Sequence, residues 1–488
     1  MMFREMARTC LFALALASGE AAPQSGHSAA VGEADVPHAA ELHLQTRRFG
    51  TVTIYQPTGA PQSVAIFLSG DGGWHLGVIR MAKALAEQGA VVIGVDVTHY
   101  LRALREAAAK STNCQLIAGD FEEMSHRVQK RIGMREYHVP VLVGYSSGAT
   151  VVYAVLVQSP PGTFAGAISL GFCPDQDFGG ARLCTGAGLH FAEGKKHELL
   201  FEPARTLRQP WIALQGQQDA VCSAPVVDQF GAATTEAQVI KLPKVGHGFG
   251  VERNWLPQFL EAFRSIVDRV NAPISLRPPQ ISDLPVNEVQ ATGASSEFAV
   301  LLTGDGGWAG LDQEVAARLA ADGIPTVGFN SLKYFWTQRT PEQAANDIAR
   351  VIRHYMTTWN ERRVLLVGYS FGADVLPFVV NRLPPDLRAK VATINLMGLD
   401  ANASFEVSVA DWLGQEPPGP PTRPELANIG ATPVLCIYGE GEKDSICPSL
   451  PAGQVTREQV GTGHHFGGEY AQLADRIVAF AKNARPVT

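Results

Sequence analysis

The chain has 488 residues, of which 46% are apolar, and 47 acidic against 40 basic residues give it a net charge of −7. This length accommodates two or three domains, and the apolar share is sufficient for packed cores. The acidic balance argues against a nucleic-acid-binding protein, which normally carries a basic face, so we expect no nucleic acid among the partners.

The N-terminus has the order of charged, apolar and small residues that is typical of an export signal. Arg4 and Arg8 precede the short apolar run Thr9–Ser18, and small residues follow as far as Ala22. The run is shorter than the roughly 20 apolar residues of a membrane-spanning helix. We therefore predict a signal peptide over residues 1–22 and a periplasmic mature protein.

Five sequence blocks then occur twice, in the same order. They are GDGGW at Gly70 and Gly304, GVDVTHY at Gly94 and GFNSLKY at Gly328, GYSSGA at Gly144 and GYSFGA at Gly368, DAVC at Asp219 and DSIC at Asp444, and GHGFG at Gly246 and GHHFG at Gly463. This order indicates a duplicated domain rather than a short solenoid repeat. We predict a first domain over residues 41–270, a linker over 271–296 and a second domain over 297–488.

Within each copy, continuous apolar runs of strand length alternate with helical stretches. In the second copy the predicted order is strand Phe298–Gly304, helix Leu311–Gly323, strand Thr326–Asn330, helix Glu342–Trp359, strand Arg363–Tyr369, a helix from Phe371, strands Val391–Gly398 and Pro433–Gly439, and helix Glu469–Asn483. Continuous apolar strands are typical of parallel sheets that are covered on both faces. The predicted fold class is α/β, with two mostly parallel sheets and helices on both faces of each.

The block around Ser370 has the pattern of a nucleophile elbow. GYSFG follows an apolar strand and precedes a helix, and the same context surrounds Ser146. A tight strand-to-helix turn presents the serine at the end of the sheet, and the flanking glycines avoid Cβ clashes. We predict Ser370 as a nucleophile, and we interpret both copies as tandem α/β-hydrolase-like domains.

The acid of such a site is expected in a loop after a late strand. Asp444 follows the predicted strand Pro433–Gly439, and it shares its DxxC block with Asp219 of the first copy. We therefore predict Asp444 as the acid, with Glu440 and Glu442 as nearby alternatives.

The base is expected last, just before the final helix. His464 and His465 are both candidates, but the single histidine of the first copy, His247, aligns with His464. We predict that His464 takes the proton of Ser370.

The GDGGW block of the second copy follows its first strand, where α/β-hydrolases place half of an oxyanion hole. We predict that Gly304 and Asp305 meet the amide of Phe371 from the opposite side of the reacting carbonyl. The alternatives are a tight turn without catalytic function, or an Asp305 side chain that contacts a cationic group of the substrate.

Three further residues are candidates for substrate binding. Asp374 lies one helical turn after Ser370, where it either holds a substrate ammonium or forms a structural hydrogen bond. Tyr334 and Trp336 belong to an aromatic run that either packs in the core or contacts lipid at a membrane surface.

The first copy also contains a serine, an acid and a histidine in the order of a triad, namely Ser146, Asp219 and His247. It departs from the second copy elsewhere, because Thr150 stands in the place of Asp374. We expect this second candidate triad to be a weaker or silent site, with docking as an alternative role for the domain.

Six cysteines remain after the signal peptide, and an oxidising compartment favours disulfide bonds between them. Their spacing leaves 15 connectivities open, among which we prefer those that pair Cys436 with Cys447 and Cys184 with Cys222. No cysteine or histidine spacing indicates a metal site, and we predict neither metal nor cofactor.

The second half of the chain resembles the bacterial VirJ/AcvB virulence-protein family. The resemblance rests on LLTGDGGW, NSLKYFWTQRTPE, VLLVGYSFGADVLPF and GTGHHFGG, which together cover most of residues 297–485. VirJ is similar to this half alone, whereas a chain with an additional hydrolase-like half is similar to the longer AcvB form.

The resemblance implies an exported serine hydrolase that is linked to type IV secretion. For AcvB-type members it implies hydrolysis of the aminoacyl ester of aminoacylated phosphatidylglycerol, of the lysyl type. The implied partners are an aminoacylated phospholipid at the membrane surface and secretion-system proteins. The alternatives are a periplasmic binding or chaperone protein that keeps the fold as a scaffold, and a general carboxylesterase or thioesterase.

Overall fold

The computed structural model describes residues 41–110, 113–186, 188–271, 281–291, 293, 296–408, 419–451 and 453–484. The predicted signal peptide lies outside the described residues, as does the segment 272–280 of the predicted linker. Among the described residues, no helix combines the length and the apolar character that crossing a membrane requires.

The first domain is built on a sheet in which eight strands are described. Its elements are β1 (Glu41–Thr46), β2 (Gly50–Tyr55), β3 (Ser63–Leu68), α1 (Leu76–Glu87), β4 (Ala90–Val95), α2 (Val97–Ala108), α3 (Ile117–Arg131), β5 (Val141–Tyr145), α4 (Ser147–Gln158), β6 (Gly166–Leu170), β7 (Asp175–Asp177), β8 (Phe191–Glu193), β9 (Glu198–Phe201), β10 (Trp211–Gly216), α5 (Ala224–Ala233), β11 (Ala237–Leu242) and α6 (Leu256–Asn271). The strand order is β1-β2-β4-β3-β5-β6-β10-β11, and β7, β9 and β8 form a small separate sheet. From β4 to β11 the neighbouring strands are parallel, whereas β1 and β2 add an antiparallel edge.

The second domain repeats this plan. Its elements are β12 (Val286–Val289), β13 (Glu297–Leu302), α7 (Gly310–Ala321), β14 (Thr326–Phe329), α8 (Ser331–Tyr334), α9 (Pro341–Thr358), β15 (Arg363–Tyr369), α10 (Phe371–Arg382), α11 (Pro385–Arg388), β16 (Val391–Met397), α12 (Thr422–Ala427), β17 (Val434–Glu440), β18 (Thr456–Thr462) and α13 (Tyr470–Asn483). The strand order β14-β13-β15-β16-β17-β18 matches β4-β3-β5-β6-β10-β11 of the first domain. The predicted fold class, two tandem α/β-hydrolase-like domains, is confirmed.

The central parallel strands are buried on both faces, which explains their continuous apolar sequences. Strands β3, β4 and β16 are buried at every position. Each fully buried aliphatic side chain contributes roughly 1.5–3 kcal/mol to stability. The two sheets are therefore firm supports for the loops at the carboxyl ends of their strands, where α/β proteins place their sites.

The second domain begins earlier than the sequence indicates. Strand β12 pairs antiparallel with β14, and Ile281, Leu284 and Val286 are buried in the core of the second domain. Residues 281–289 therefore belong to this domain, although they fall inside the predicted linker 271–296. The four residues of β12 read VNEV, which is too short and too polar to be recognised as a strand from sequence.

The two domains pack against each other through α3 and the segment that follows it. The indole Nε1 of Trp336 donates a hydrogen bond to the Met134 carbonyl at 2.9 Å. The Lys130 ammonium lies 4.6 Å from the Trp336 ring centroid and 3.1 Å from Glu406 Oε1. Tyr137 of the first domain is buried in the core of the second.

Three disulfide bonds join Cys114 to Cys184, Cys173 to Cys222, and Cys436 to Cys447. The preferred pair of Cys436 with Cys447 is present, but that of Cys184 with Cys222 was wrong. Cys222 and Cys447 occupy the same place in the two DxxC blocks and nevertheless have different partners. Cys222 is tied to the segment after β6, whereas Cys447 is tied to β17 immediately before its own loop.

Candidate active site

Both predicted nucleophiles lie on strained strand-to-helix turns. Ser370 joins β15 to α10 with a φ of 49°, and Ser146 joins β5 to α4 with a φ of 54°. Positive φ is unfavourable for a serine and typically persists where function requires the position. A Cβ at Gly368 would lie only 2.6 Å from the carbonyl oxygen of Gly372, so the glycines of the elbow permit the close turn.

A hydrogen-bonded relay connects Ser370 to a buried carboxylate. His464 Nε2 lies 2.8 Å from Ser370 Oγ, and His464 Nδ1 lies 2.6 Å from Glu442 Oε1. The Glu442 side chain is only 2% exposed. A carboxylate at Nδ1 favours the tautomer in which Nδ1 carries the proton and Nε2 accepts one from the serine.

The acid in this relay is Glu442, and the prediction of Asp444 is corrected. Asp444 is exposed in the same loop, two residues beyond the side chain that contacts His464. Glu442 is held in place by a second hydrogen bond, in which the Gly439 amide donates to its Oε2 at 2.8 Å. Asp219 and Asp444 align in sequence, but their two loops carry different disulfide bonds. The alignment with Asp219 therefore does not show which residue is the acid in the second domain.

The first domain contains a second complete relay. Ser146 Oγ lies 2.9 Å from His247 Nε2, and His247 Nδ1 lies 2.9 Å from Asp219 Oδ2. The Asp219 side chain is fully buried, and it accepts hydrogen bonds from the amides of Val221 and Cys222. All three residues predicted from the first copy are thus brought together, with distances close to those of the second relay.

Asp219, Cys222 and His247 also lie close enough together to resemble a metal site. The sulfur of Cys222 is bonded to Cys173, so it cannot act as a thiolate ligand. The contact between Asp219 and His247 therefore belongs to the relay.

Comparison with known proteins identifies the family. A family model described as bacterial virulence protein (VirJ) matches residues 62–165 and 296–485, which is more than half of the chain. The chain belongs to the VirJ family. This confirms the resemblance seen in the second half and extends it into the first.

No curated protein matches the VirJ-family chain. Among solved structures, the esterase domain of a Rhodothermus marinus protein is 16% identical, with 46% of this chain and 96% of that one covered at a TM-score of 0.31. Thermogutta terrifontis esterase 2 is 15% identical, with 48% and 95% covered at 0.32. An alpha-beta serine hydrolase homologue from Coxiella burnetii is 16% identical, with 49% and 100% covered at 0.28. Similarities this low carry no information about substrate.

The charges around His464 alter its proton affinity. Burial lowers the pKa of His464, but the hydrogen bond and charge of Glu442, together with the charges of Asp305 and Asp444, outweigh burial. The net effect is a pKa above the ordinary value of 6.5. The base is therefore protonated, and unable to accept the serine proton, up to a higher pH than an ordinary histidine.

We expect the acid limb of the kcat/KM profile of the second site to have its midpoint above pH 6.5, because kcat/KM reports the titration of the free enzyme. Glu442→Gln removes the largest cause that raises the pKa of His464, so the midpoint of its residual activity should move to lower pH. A midpoint that is the same in Glu442→Gln and wild type would contradict this account.

The residues predicted for the oxyanion hole lie beside Ser370. A Cβ at Gly304 would be 3.6 Å from Ser370 Cβ, and Asp305 lines the same cavity as Ser370 and His464. Phe371 is the first residue of α10, and amides at a helix start have no acceptor within the helix. These residues lie where the predicted oxyanion hole requires them. That their amides stabilise an oxyanion stays a prediction.

Asp374 forms a structural hydrogen bond, which was the alternative to binding a substrate ammonium. Its Oδ1 accepts a hydrogen bond from the Asp400 amide at 2.7 Å, which fixes the segment after β16. Burial, with the charges of Asp400, Asp305 and Glu442, raises its pKa well above the ordinary range. Thr150, its counterpart in the first domain, holds the corresponding segment by donating to the Cys173 carbonyl at 2.7 Å.

Tyr334 and Trp336 pack inside the protein, which is the first of the two alternatives for this aromatic run. Tyr334 is 4% exposed and donates to Asp347 Oδ2 at 2.6 Å, while Trp336 is 2% exposed and packs on the first domain. Sequence shows an aromatic run but not the domain that covers it.

The cavity at Ser370 has a volume of about 400 Å³ and is lined by both domains. The second domain supplies Asp305, Ser370 and His464, and helix α3 of the first domain supplies Glu122 and His126. The contribution of the first domain was missed, because no motif in a sequence indicates which surface of one domain lies over another.

Proposed function

We propose that this VirJ-family protein is a periplasmic serine hydrolase that cleaves the aminoacyl ester of aminoacylated phosphatidylglycerol, of the lysyl type. The observation that carries the proposal is the continuous relay from Ser370 through His464 to the buried Glu442. This is the constellation that activates a serine for attack on an ester carbonyl.

The reaction proceeds in two balanced steps. Ser370 Oγ attacks the ester carbonyl while His464 Nε2 takes the hydroxyl proton, and Glu442 stabilises the imidazolium. The bond to the glycerol oxygen breaks, His464 returns the proton to that oxygen, and phosphatidylglycerol leaves. Water then gives a proton to His464 and attacks the acyl-enzyme, which releases the free amino acid and restores Ser370.

One structural observation supports an aminoacyl substrate. The cavity carries carboxyl side chains such as Asp305 beside the relay, and these suit a substrate with one or two ammonium groups. The family resemblance implies the lipid part and the periplasmic location.

The test is release of lysine and phosphatidylglycerol from vesicles that contain lysyl-phosphatidylglycerol, with the purified full chain. If both serines react with a fluorophosphonate probe but no lysine is released, the protein is a hydrolase of another ester. Hydrolysis of p-nitrophenyl esters tests this alternative. If neither serine reacts, the alternative of a binding or chaperone scaffold is favoured.

The first domain is a second candidate hydrolase, because its relay is also complete. Nothing in the distances from Ser146 through His247 to Asp219 ranks this site below the other one. We expect a fluorophosphonate probe to label both Ser146 and Ser370, as measured by mass spectrometry of their peptides. Ser146→Ala should remove one label and leave that on Ser370. Labelling of Ser370 alone in the wild-type chain would restore the expectation of a silent first site.

A further inference from the structure

The cavity at Ser370 draws side chains from both domains, and we propose that Glu122 of the first domain determines its specificity. Together with Asp305, Glu122 binds a cationic group of the substrate. The inference rests on the proposed function of the second site and adds that the first domain, through Glu122, selects for positive charge.

Close contacts hold the two domains together at this point. Gln313 Nε2 donates to the Pro161 carbonyl of the first domain at 3.2 Å and to the Trp308 carbonyl at 2.9 Å. A Cβ at Gly162 would lie 2.6 Å from that same Trp308 oxygen. The loop that carries Asp305 is thus packed directly on the first domain.

Helix α3 places Glu122 over this loop. Glu122 Oε1 lies 3.7 Å from the position of a Cβ on Gly306, the residue after Asp305. Both carboxyl groups line the cavity that contains Ser370 and His464. A substrate whose ester lies at Ser370 could therefore place a cationic group between Glu122 and Asp305 in the same cavity.

The titratable side chains of the cavity include several carboxyl groups. Among the described residues, no lysine or arginine lines it, whereas Glu122, Glu123, Asp305 and Asp312 do. Its basic side chains are histidines, and burial together with the charge of Lys130 lowers the pKa of His126 to about 3. A cation is the ligand that this composition favours.

Two of the carboxyl groups are incompletely compensated by the protein. Asp312 is 3% exposed and accepts hydrogen bonds from backbone amides, but its Oδ1 has no hydrogen-bond partner in the described part of the chain. Burial and the charge of Asp305 raise the pKa of Glu122 to about 8. Ionising such buried groups is costly without a partner, and an ammonium group would remove that cost.

The cavity beside Ser146 has a different composition. It is lined by Arg102 and Arg105 as well as by acidic residues, among them Asp71, the counterpart of Asp305. The GDGGW motif supplies an acidic residue in both domains, so this motif alone does not select for a cation. We assign the selection to the cavity of the second site.

The experiment measures how fast a fluorophosphonate labels Ser370 in the full chain, and how lysinamide or norleucinamide slows the labelling. The two ligands have side chains of similar length, but only lysinamide carries a second ammonium. In wild type, protection should need at least about tenfold less lysinamide than norleucinamide, since hydrogen bonds to charged groups contribute about 1.5–3 kcal/mol. Glu122→Gln should abolish this difference, and Glu106→Gln, an exposed carboxyl of the same domain, should preserve it.

An undiminished preference for lysinamide in Glu122→Gln would overturn the proposal. Glu122→Asp retains the charge and should retain most of the preference, so an equal loss in Glu122→Asp and Glu122→Gln would also overturn it, as an effect of packing. The labelling needs no lipid hydrolysis. Failure of the lipid assay together with a lysinamide preference that depends on Glu122 would therefore reject the lipid substrate but not the cation site.

Discussion

Ser370→Ala is expected to lower the rate of lysine release from lysyl-phosphatidylglycerol by at least about 10³-fold, since loss of the nucleophile in a serine triad costs up to about 10⁶ in kcat. The reason is chemical, because the hydroxyl that His464 Nε2 contacts at 2.8 Å is that of Ser370. The side chain removed is small and lies on a turn, so we expect the fold and the thermal midpoint to be retained. The measurement is lysine released from vesicles at saturating lipid.

Ser146→Ala is the matched comparison, because it removes the same atom from the same kind of turn. We expect it to retain most of the lysine release, since the proposed substrate site is in the second domain. Undiminished hydrolysis by Ser370→Ala would refute the assignment of the nucleophile. Equal losses in the two variants would refute the assignment of this substrate to one domain.

Glu442→Gln is expected to lower kcat by roughly 10³–10⁴-fold, whereas Asp444→Asn should stay within a few-fold of wild type. An amide in place of the triad carboxylate cannot fix the tautomer of the histidine or stabilise the imidazolium, and losses of about 10⁴ are known for that change. Asp444 is exposed and contributes only a distant charge to His464.

The two variants differ in charge from wild type by the same amount and lie two residues apart, so each controls for the other. A large loss in Asp444→Asn with activity retained in Glu442→Gln would restore the assignment made from sequence. Similar large losses in both would indicate that the loop, rather than one carboxylate, is the sensitive element.

The parts of the site that were predictable from sequence are those fixed by local backbone requirements. Ser370 needs an apolar strand before it, a helix after it and glycines around it, and all of these are visible in the residues themselves. His464 was identified because the first domain offers only His247 at the same place. Duplication thus supplied the comparison that a single sequence normally lacks.

The acid was misplaced because a loop has no periodic pattern to restrain an alignment. Glu442 reaches His464 from a position two residues before Asp444, and no feature of the loop sequence shows which of its carboxyl side chains does so. Strand β18 was missed for a related reason. Its sequence, TREQVGT, is mostly polar because it lies at the edge of the sheet, and it has no apolar run to mark it.

The burial of Trp336 against the first domain bears on how the chain is made. Domains form in the order of synthesis, so the surface around Met134 and Tyr137 exists before the residues that cover it have been translated. A chain shortened to begin at residue 281 would expose the indole ring and leave its N–H without the Met134 carbonyl, a surface that favours association with other chains. The second domain therefore completes the burial of Trp336 against a surface that has already been synthesised.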